Sequence, residues 1–239
     1  MKDSSPQKTS VRGERRKQLL LDAAAELIMQ RGFVAVSHRT VTQHAGLPLA
    51  STTYYFDSLE ALIADAVHHL ATGWLDDARR EARESGQRRL GSKALTEALI
   101  RVAAPVPSRP TDADRTTLLS LYERYAEAAR QPQLQTVIAA YDAQIEALLA
   151  ETLRPHISPN VSPNVSPNQD LAGAGRLLLA VIDGALLRAL AEGADLESAT
   201  ATVQSLVESF TETQADGDPP PVPTERHDAA DGSTHDQDD

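Results

Sequence analysis

Apolar residues recur three and four positions apart along almost the whole chain, which places them on one face of a helix; strand-like alternation is absent. The spacing predicts a first helix over 12–31, with Leu20, Ala24, Leu27 and Ile28 on one face and Gly32 as its stop. Ser37, a natural cap, opens a second, short helix that runs to Ala45 and is ended by Gly46. Beyond Gly46-Leu47-Pro48 comes another short helix, 49–55. Asp57 or Ser58 then caps a long one with Leu59, Leu62, Ile63, Ala66, Val67 and Leu70 inward, ending near Gly86.

The periodicity continues downstream. A modest helix over 93–104 is closed by PVPSRP. Thr111-Asp112-Ala113-Asp114, a capping box with Asp in place of Glu, opens a helix with Leu118, Tyr122, Tyr125 and Ala129 on one stripe. Pro132 starts the next, whose stripe is Val137, Ile138, Tyr141, Ile145 and Leu148. Residues 157–168 read ISPN-VSPN-VSPN, a tandem repeat that proline keeps out of helix, expected as an extended, mobile loop. Residues 171–190 are apolar on nearly all sides, and 196–210 are amphipathic. The tail 214–239, with four prolines and eight acidic residues, is expected to be disordered. The fold class expected is all-α, with about nine helices.

The chain has 239 residues, 41% apolar and 24% charged, enough to bury a sizeable core. The absence of cysteine excludes disulfides, a thiol nucleophile and thiolate metal sites. The longest apolar run, 177–182, is too short to span a membrane, and the polar start lacks the apolar core of a signal peptide, so a cytoplasmic location is expected. The net charge of −11 argues against a nucleic-acid partner only while it is treated as one number. Residues 1–56 carry +4, residues 57–213 carry −8, and residues 214–239 carry −7.

Within the basic part, two short helices joined by a glycine-containing turn and buttressed by an apolar helix are what a helix-turn-helix requires. The second of the pair, Leu49-Ala50-Ser51-Thr52-Thr53-Tyr54-Tyr55, is small and hydroxyl-rich with aromatic residues at its end. Serine and threonine can bond phosphates or base edges. The same residues could equally fill a tight surface turn. The string RRKQLLLDAAAELIMQRGFVAVSHRTVTQHAGLPLASTTYYFDSLEALI favours DNA binding, because it resembles the N-terminal domain of the tetracycline-repressor (TetR) family of transcriptional regulators. The elements that carry the resemblance are the LLDAAAELI first helix, the RGF break, the AG turn, and YYF-x-S-x-E-x-L running into the fourth helix.

That resemblance, over about residues 12–70, implies a homodimeric DNA-binding regulator without enzymatic activity or cofactor. Its partners would be a palindromic operator and a small-molecule effector. The organisation implied is an N-terminal arm (1–11), a helix-turn-helix domain (12–57), an effector and dimerisation domain (58–213) and the acidic tail. It assigns DNA contact to Ser37, His38, Arg39, Ala50, Ser51, Thr52, Thr53, Tyr54 and Tyr55. Three positions depart from the family pattern. Leu59 stands where a phosphate-holding lysine is usual, Thr53 where tyrosine is common, and His38 where an apolar residue is common. Arg12, Arg15, Arg16 and Lys17 are candidates to make up the missing phosphate charge.

For the effector, the candidates are Trp74, Tyr122, Tyr125, Tyr141 and Asp183. Asp183 lies alone in LLLAVIDGALL and needs a partner, for which a ligand, Arg176, Arg188 or solvent all qualify. The resemblance places the last two helices in a four-helix dimer bundle, with Leu178, Ile182, Leu186, Val203, Leu206 and Phe210 at the interface; a deep core helix within one chain is the alternative. Asp65 and His69, four apart, are too few for a metal site. No HExxH, P-loop, GxSxG or GxGxxG motif occurs. Arg79, Arg80, Arg83, Arg88 and Arg89 alternate with Asp76, Asp77, Glu81 and Glu84, the pattern of a solvated, ion-paired face. A helical scaffold whose helix-turn-helix no longer meets DNA is the rival reading.

Overall fold

The computed structural model describes residues 11–104, 112–157 and 167–211. Among them are nine α-helices and no strand: α1 (Val11–Arg31), α2 (His38–Ala45), α3 (Ala50–Tyr55), α4 (Leu59–Gly86), α5 (Ser92–Ala103), α6 (Asp112–Ala128), α7 (Pro132–Leu153), α8 (Pro167–Glu192) and α9 (Leu196–Thr211). Two 3-10 turns, Phe33–Ala35 and Arg154–His156, were not predicted by the apolar spacing, which cannot register a single turn.

Ser37 caps α2 as expected: its hydroxyl accepts from the Thr40 backbone N–H at 3.1 Å while the Thr40 hydroxyl accepts from the Ser37 N–H at 2.9 Å. Gly46 ends α2 at φ 66°, a left-handed conformation that costs glycine little. Of the two candidate caps of α4, Ser58 is the one used, accepting from the Ala61 N–H at 3.1 Å. The predicted SPN-repeat loop ends earlier than expected. Pro167 and Asn168 open α8, because proline is tolerated in a first turn. The repeat's residues 158–166, the arm up to residue 10 and the tail from residue 212 lie outside the described residues, while Val11 already belongs to α1.

Two apolar cores share α4. The first gathers Leu20, Leu27 and Ile28 of α1, Val41 of α2, Phe56, and Leu62, Ile63 and Ala66 at the start of α4; Ala128, Leu134 and Ile138 complete it. The second fills the space between the rest of α4 and α5–α9. Tyr125 packs against both.

Four of the six expected interface residues need correction. Leu178, Ile182, Leu186 and Val203 are buried in the second core of a single chain, and Leu206 and Phe210 pack partly buried against it. The side of α8 left open carries Leu177, Ala180, Gly184 and Leu187 instead, with both leucines 46% exposed. Gly175 lies on the side that faces α7, where a Cβ would stand 2.2 Å from the Glu146 carbonyl oxygen. Only glycine lets the two helices approach so closely.

Candidate functional site

The helix-turn-helix residues share one end of the molecule. Arg39, one residue into α2, is exposed and makes no ion pair among the described residues. His38, half-buried, leaves its Nδ1 without a hydrogen-bond partner. It faces Glu60, whose carboxyl is held below its usual range by hydrogen bonds from its own backbone N–H and from the Ser58 side chain, with a smaller contribution from His38. Along α3, Ala50 and Thr53 are exposed, Ser51 is half-buried, and Tyr54 is 78% exposed. The Tyr54 ring meets that of Tyr55 edge-on, with 4.8 Å between centroids.

Thr52 must be withdrawn from the DNA-contact set. It is fully buried and its hydroxyl donates to the Leu49 carbonyl oxygen at 3.1 Å. Thr52 stands one helical turn before the buried Phe56, on the inward stripe of α3.

Leu59, at the position where the resembling family usually has lysine, packs partly buried on the first core and so cannot hold a phosphate. Among the basic candidates, Lys17 is engaged: its ammonium lies 3.3 Å from Asp65 and 5.5 Å from the centre of the Phe56 ring. Arg12, Arg15 and Arg16 are exposed. The paired metal candidates are parted, Asp65 holding Lys17 and His69 lying 3.0 Å from Asp22. Among the described residues no three potential ligands gather. Of the five clustered arginines, Arg79 pairs with Asp76 at 3.0 Å and Arg80 with Asp77, while Arg83, Arg88 and Arg89 are exposed; Glu81 pairs with Arg101 of α5 at 2.9 Å.

A second constellation lies in the other half of the molecule. Trp74 of α4, Tyr122 and Tyr125 of α6, Tyr141 of α7 and Asp183 of α8 all converge on one residue that the apolar pattern did not single out, Arg124. Arg124 is 3% exposed. Its guanidinium carbon sits 4.6 Å from the ring centre of Tyr141, 4.7 Å from that of Tyr125 and 5.8 Å from that of Trp74, all within cation–π range. Nη2 donates to the Tyr125 hydroxyl at 3.1 Å and to Asp142 at 3.5 Å, a second residue that sequence reasoning missed.

Asp183 finds its partners in neither Arg176 nor Arg188. Arg176 pairs with Glu146 at 3.6 Å and Arg188 with Glu192 at 2.9 Å, both exposed. Instead the carboxylate accepts from the Tyr122 hydroxyl at 3.2 Å and, on its other oxygen, from the Tyr125 hydroxyl at 3.1 Å. Tyr125 also reaches Asp142 at 3.1 Å.

Burial raises the pKa of Asp183 above 3.8, against the pull of Arg124 and the two tyrosine hydrogen bonds; burial raises that of Asp142 too, against Arg124 and Tyr125. The phenols stay neutral: burial pushes Tyr141 up to about 12 and Tyr122 and Tyr125 further. For Arg124 burial opposes the charge, but Tyr125, Tyr141 and Asp142 outweigh it and the guanidinium stays protonated.

Helix α6 links this cluster to the helix-turn-helix end. Its Ser120 hydroxyl donates to the Met29 carbonyl oxygen in α1 at 3.2 Å, and the Glu123 carboxylate lies against Gly32, where a Cβ would meet it at 2.7 Å. Cluster and α1 contact thus sit on the same two turns of helix.

Comparison with known proteins covers both halves. Residues 20–66 match the tetR family of bacterial regulatory proteins, and residues 90–212 match the tetracyclin repressor-like C-terminal domain. Over 92 residues the chain is 36% identical to the transcriptional repressor KstR2 of Rhodococcus jostii, a stretch of 38% of this chain and 43% of that one. The chain therefore spans less than half the length of that relative. It is 24% identical to the transcriptional regulator BetI of Agrobacterium fabrum over 83% of this chain and 87% of that one. Among solved structures, the multidrug binding protein EbrR complexed with proflavin is 27% identical and superposes with a TM-score of 0.60, over 82% of this chain and 99% of EbrR.

Proposed function

The chain belongs to the TetR family of bacterial transcriptional regulators, and from that premise we propose a homodimer that represses at a palindromic operator and leaves it when a small molecule occupies the Arg124 cluster. The observation that carries this reading is the cluster itself: four aromatic side chains, two carboxylates and one guanidinium, gathered from α4, α7 and α8 around α6, the helix that also bonds α1. EbrR, similar over nearly all of its length, has been solved with proflavin and with ethidium, which supports a small-molecule ligand for this fold.

At the other end, Arg39 and Tyr54 supply an unpaired charge and an exposed ring to DNA, with Ser51, Thr53 and Tyr55 beside them. Phosphate contacts from Arg39 set affinity; contacts from α3 set the sequence read. Two copies related by a two-fold axis through the open face of α8 would present two α3 helices to successive major grooves. A ligand on α6 that shifts Ser120 and Glu123 would move α1, and with it the spacing of the two α3 helices. Ligand binding then selects the spacing that does not match the grooves. No helix of the described residues is long and apolar enough to cross a membrane, which agrees with a cytoplasmic regulator. Regulation accounts for these features without an enzymatic activity.

The test is a screen of the purified protein for small molecules that both raise its melting temperature and release bound DNA. Compounds with both effects, abolished by changes at Tyr141 or Trp74, support the reading. Stabilising compounds that leave DNA affinity untouched would oppose it.

A further inference from the structure

The hydrogen bonding around Arg124 restricts the chemistry of what can bind there. Its Nε and Nη1 are buried and have no acceptor, although the residue is 97% enclosed; a guanidinium carries five N–H donors, and only Nη2 is answered. Buried donors without acceptors are costly, so a molecule that offers an acceptor gains affinity when it binds.

Three classes of ligand can be weighed against the charges in place. Arg124, Asp142 and Asp183 sum to one excess negative charge, with Glu146 adding to the negative field at Asp142. An anionic ligand would satisfy the free donors but bring a third carboxylate-like charge to a single guanidinium. A cationic ligand would be drawn by the excess charge, but the ring faces it would use are taken. The guanidinium already lies over Trp74, Tyr125 and Tyr141, and each Asp183 oxygen already accepts a phenol. A cation would also face Arg124 itself. An uncharged acceptor meets neither objection.

We infer that this site takes an uncharged organic molecule whose carbonyl oxygen accepts from Arg124, in contrast to the cationic dyes held by EbrR. The inference rests on the proposed function in placing the effector at this cluster. Arg124 would be the residue that sets specificity.

Trp74, the single tryptophan of the chain, reports binding by its fluorescence. Benzamide, benzoate and benzamidinium share one shape and differ in charge, and each is titrated against the wild-type dimer. Benzamide is expected to bind about tenfold more tightly than either charged analogue. In Arg124→Lys, which keeps a buried charge but has fewer donors, that preference should fall to within about threefold. Benzamidinium binding as tightly as benzamide, or tighter, overturns the inference, as does a response to none of the three. So does an unchanged preference in a folded Arg124→Lys. The two proposals separate on a DNA readout. Benzamide selected through Arg124 with no loss of operator affinity leaves the ligand class standing and removes the cluster from regulation. Release of DNA by benzamidinium does the reverse.

Discussion

The hydroxyl of Tyr125 donates to the carboxylate of Asp183, 58 positions away in sequence, at 3.1 Å, while the ring of Tyr125 packs against both cores of the molecule. One side chain thus ties the buried polar cluster to the half that carries the helix-turn-helix. Removing only the hydroxyl separates these roles. Tyr125→Phe removes the one hydroxyl proton that the two carboxylates share, and a hydrogen bond to a charged group is worth about 1.5–3 kcal/mol. A fall in unfolding free energy of that order by denaturant titration is expected, with the helical signal unchanged.

Arg39 and Tyr54 are exposed, so their roles can be tested without disturbing the fold. Arg39→Ala should weaken binding to every sequence and lower the salt slope by about one counterion unit. Tyr54→Ala should weaken DNA binding while stability stays within about 0.5 kcal/mol. A large drop in melting temperature for Tyr54→Ala would make that residue part of the core instead.

Adjacent leucines on α8 should behave oppositely. Leu177 is on the open face and Leu178 is fully buried. Leu177→Glu is expected to shift the protein from dimer to monomer in sedimentation with its helical content intact. Leu178→Ala should cost about 2–5 kcal/mol of stability from the cavity it leaves. If Leu177→Glu remains dimeric at micromolar concentration, the open face of α8 is not the interface.

Gly175→Ala puts a methyl group 2.2 Å from the Glu146 carbonyl oxygen, on backbone that cannot swing aside. Separating α7 from α8 should lower stability by about 1–3 kcal/mol, measured by thermal unfolding. Gly73→Ala, exposed on α4 with nothing near its Cβ, should not.

The buried carboxylates give stability a pH dependence of defined sign. Asp183 and Asp142 are raised above 3.8, so the folded state binds protons that the unfolded chain has released. The stability this supplies is fully present below the unfolded value and is lost as pH rises through the folded one. Asp183→Asn, neutral throughout, should therefore lose less stability than wild type as pH climbs from 3.8 towards neutrality. Parallel curves for the two proteins would place the raised pKa elsewhere.

How much was legible in the sequence depended on which physical signal each residue carries. Helix spacing located all nine α-helices to within a few residues, since burial of one face is written directly into the positions of Leu20, Leu62 or Ile145. Asp183 was conspicuous as a lone acid in an apolar run, and the tyrosines by their place on helical stripes. Arg124 was not, because it stands between Glu123 and Tyr125 in a segment whose charges look solvated; its adjacency to the Tyr122 and Tyr125 stripe was the signal available. Asp142, next to Tyr141, was hidden the same way. The open face of α8 was beyond reach, for a helix apolar on all sides has no phase to tell Leu177 from Leu178. Thr52 was misplaced because hydroxyl residues line both sides of a six-residue helix.

The central claim is that this protein reads a two-fold symmetric DNA site, and footprinting of the DNA flanking its own gene tests it most directly. At low salt, with the folded dimer confirmed, the account predicts a protected palindrome whose half-sites are spaced by the helical repeat, lost in Arg39→Ala. A folded dimer that protects no such site would contradict it.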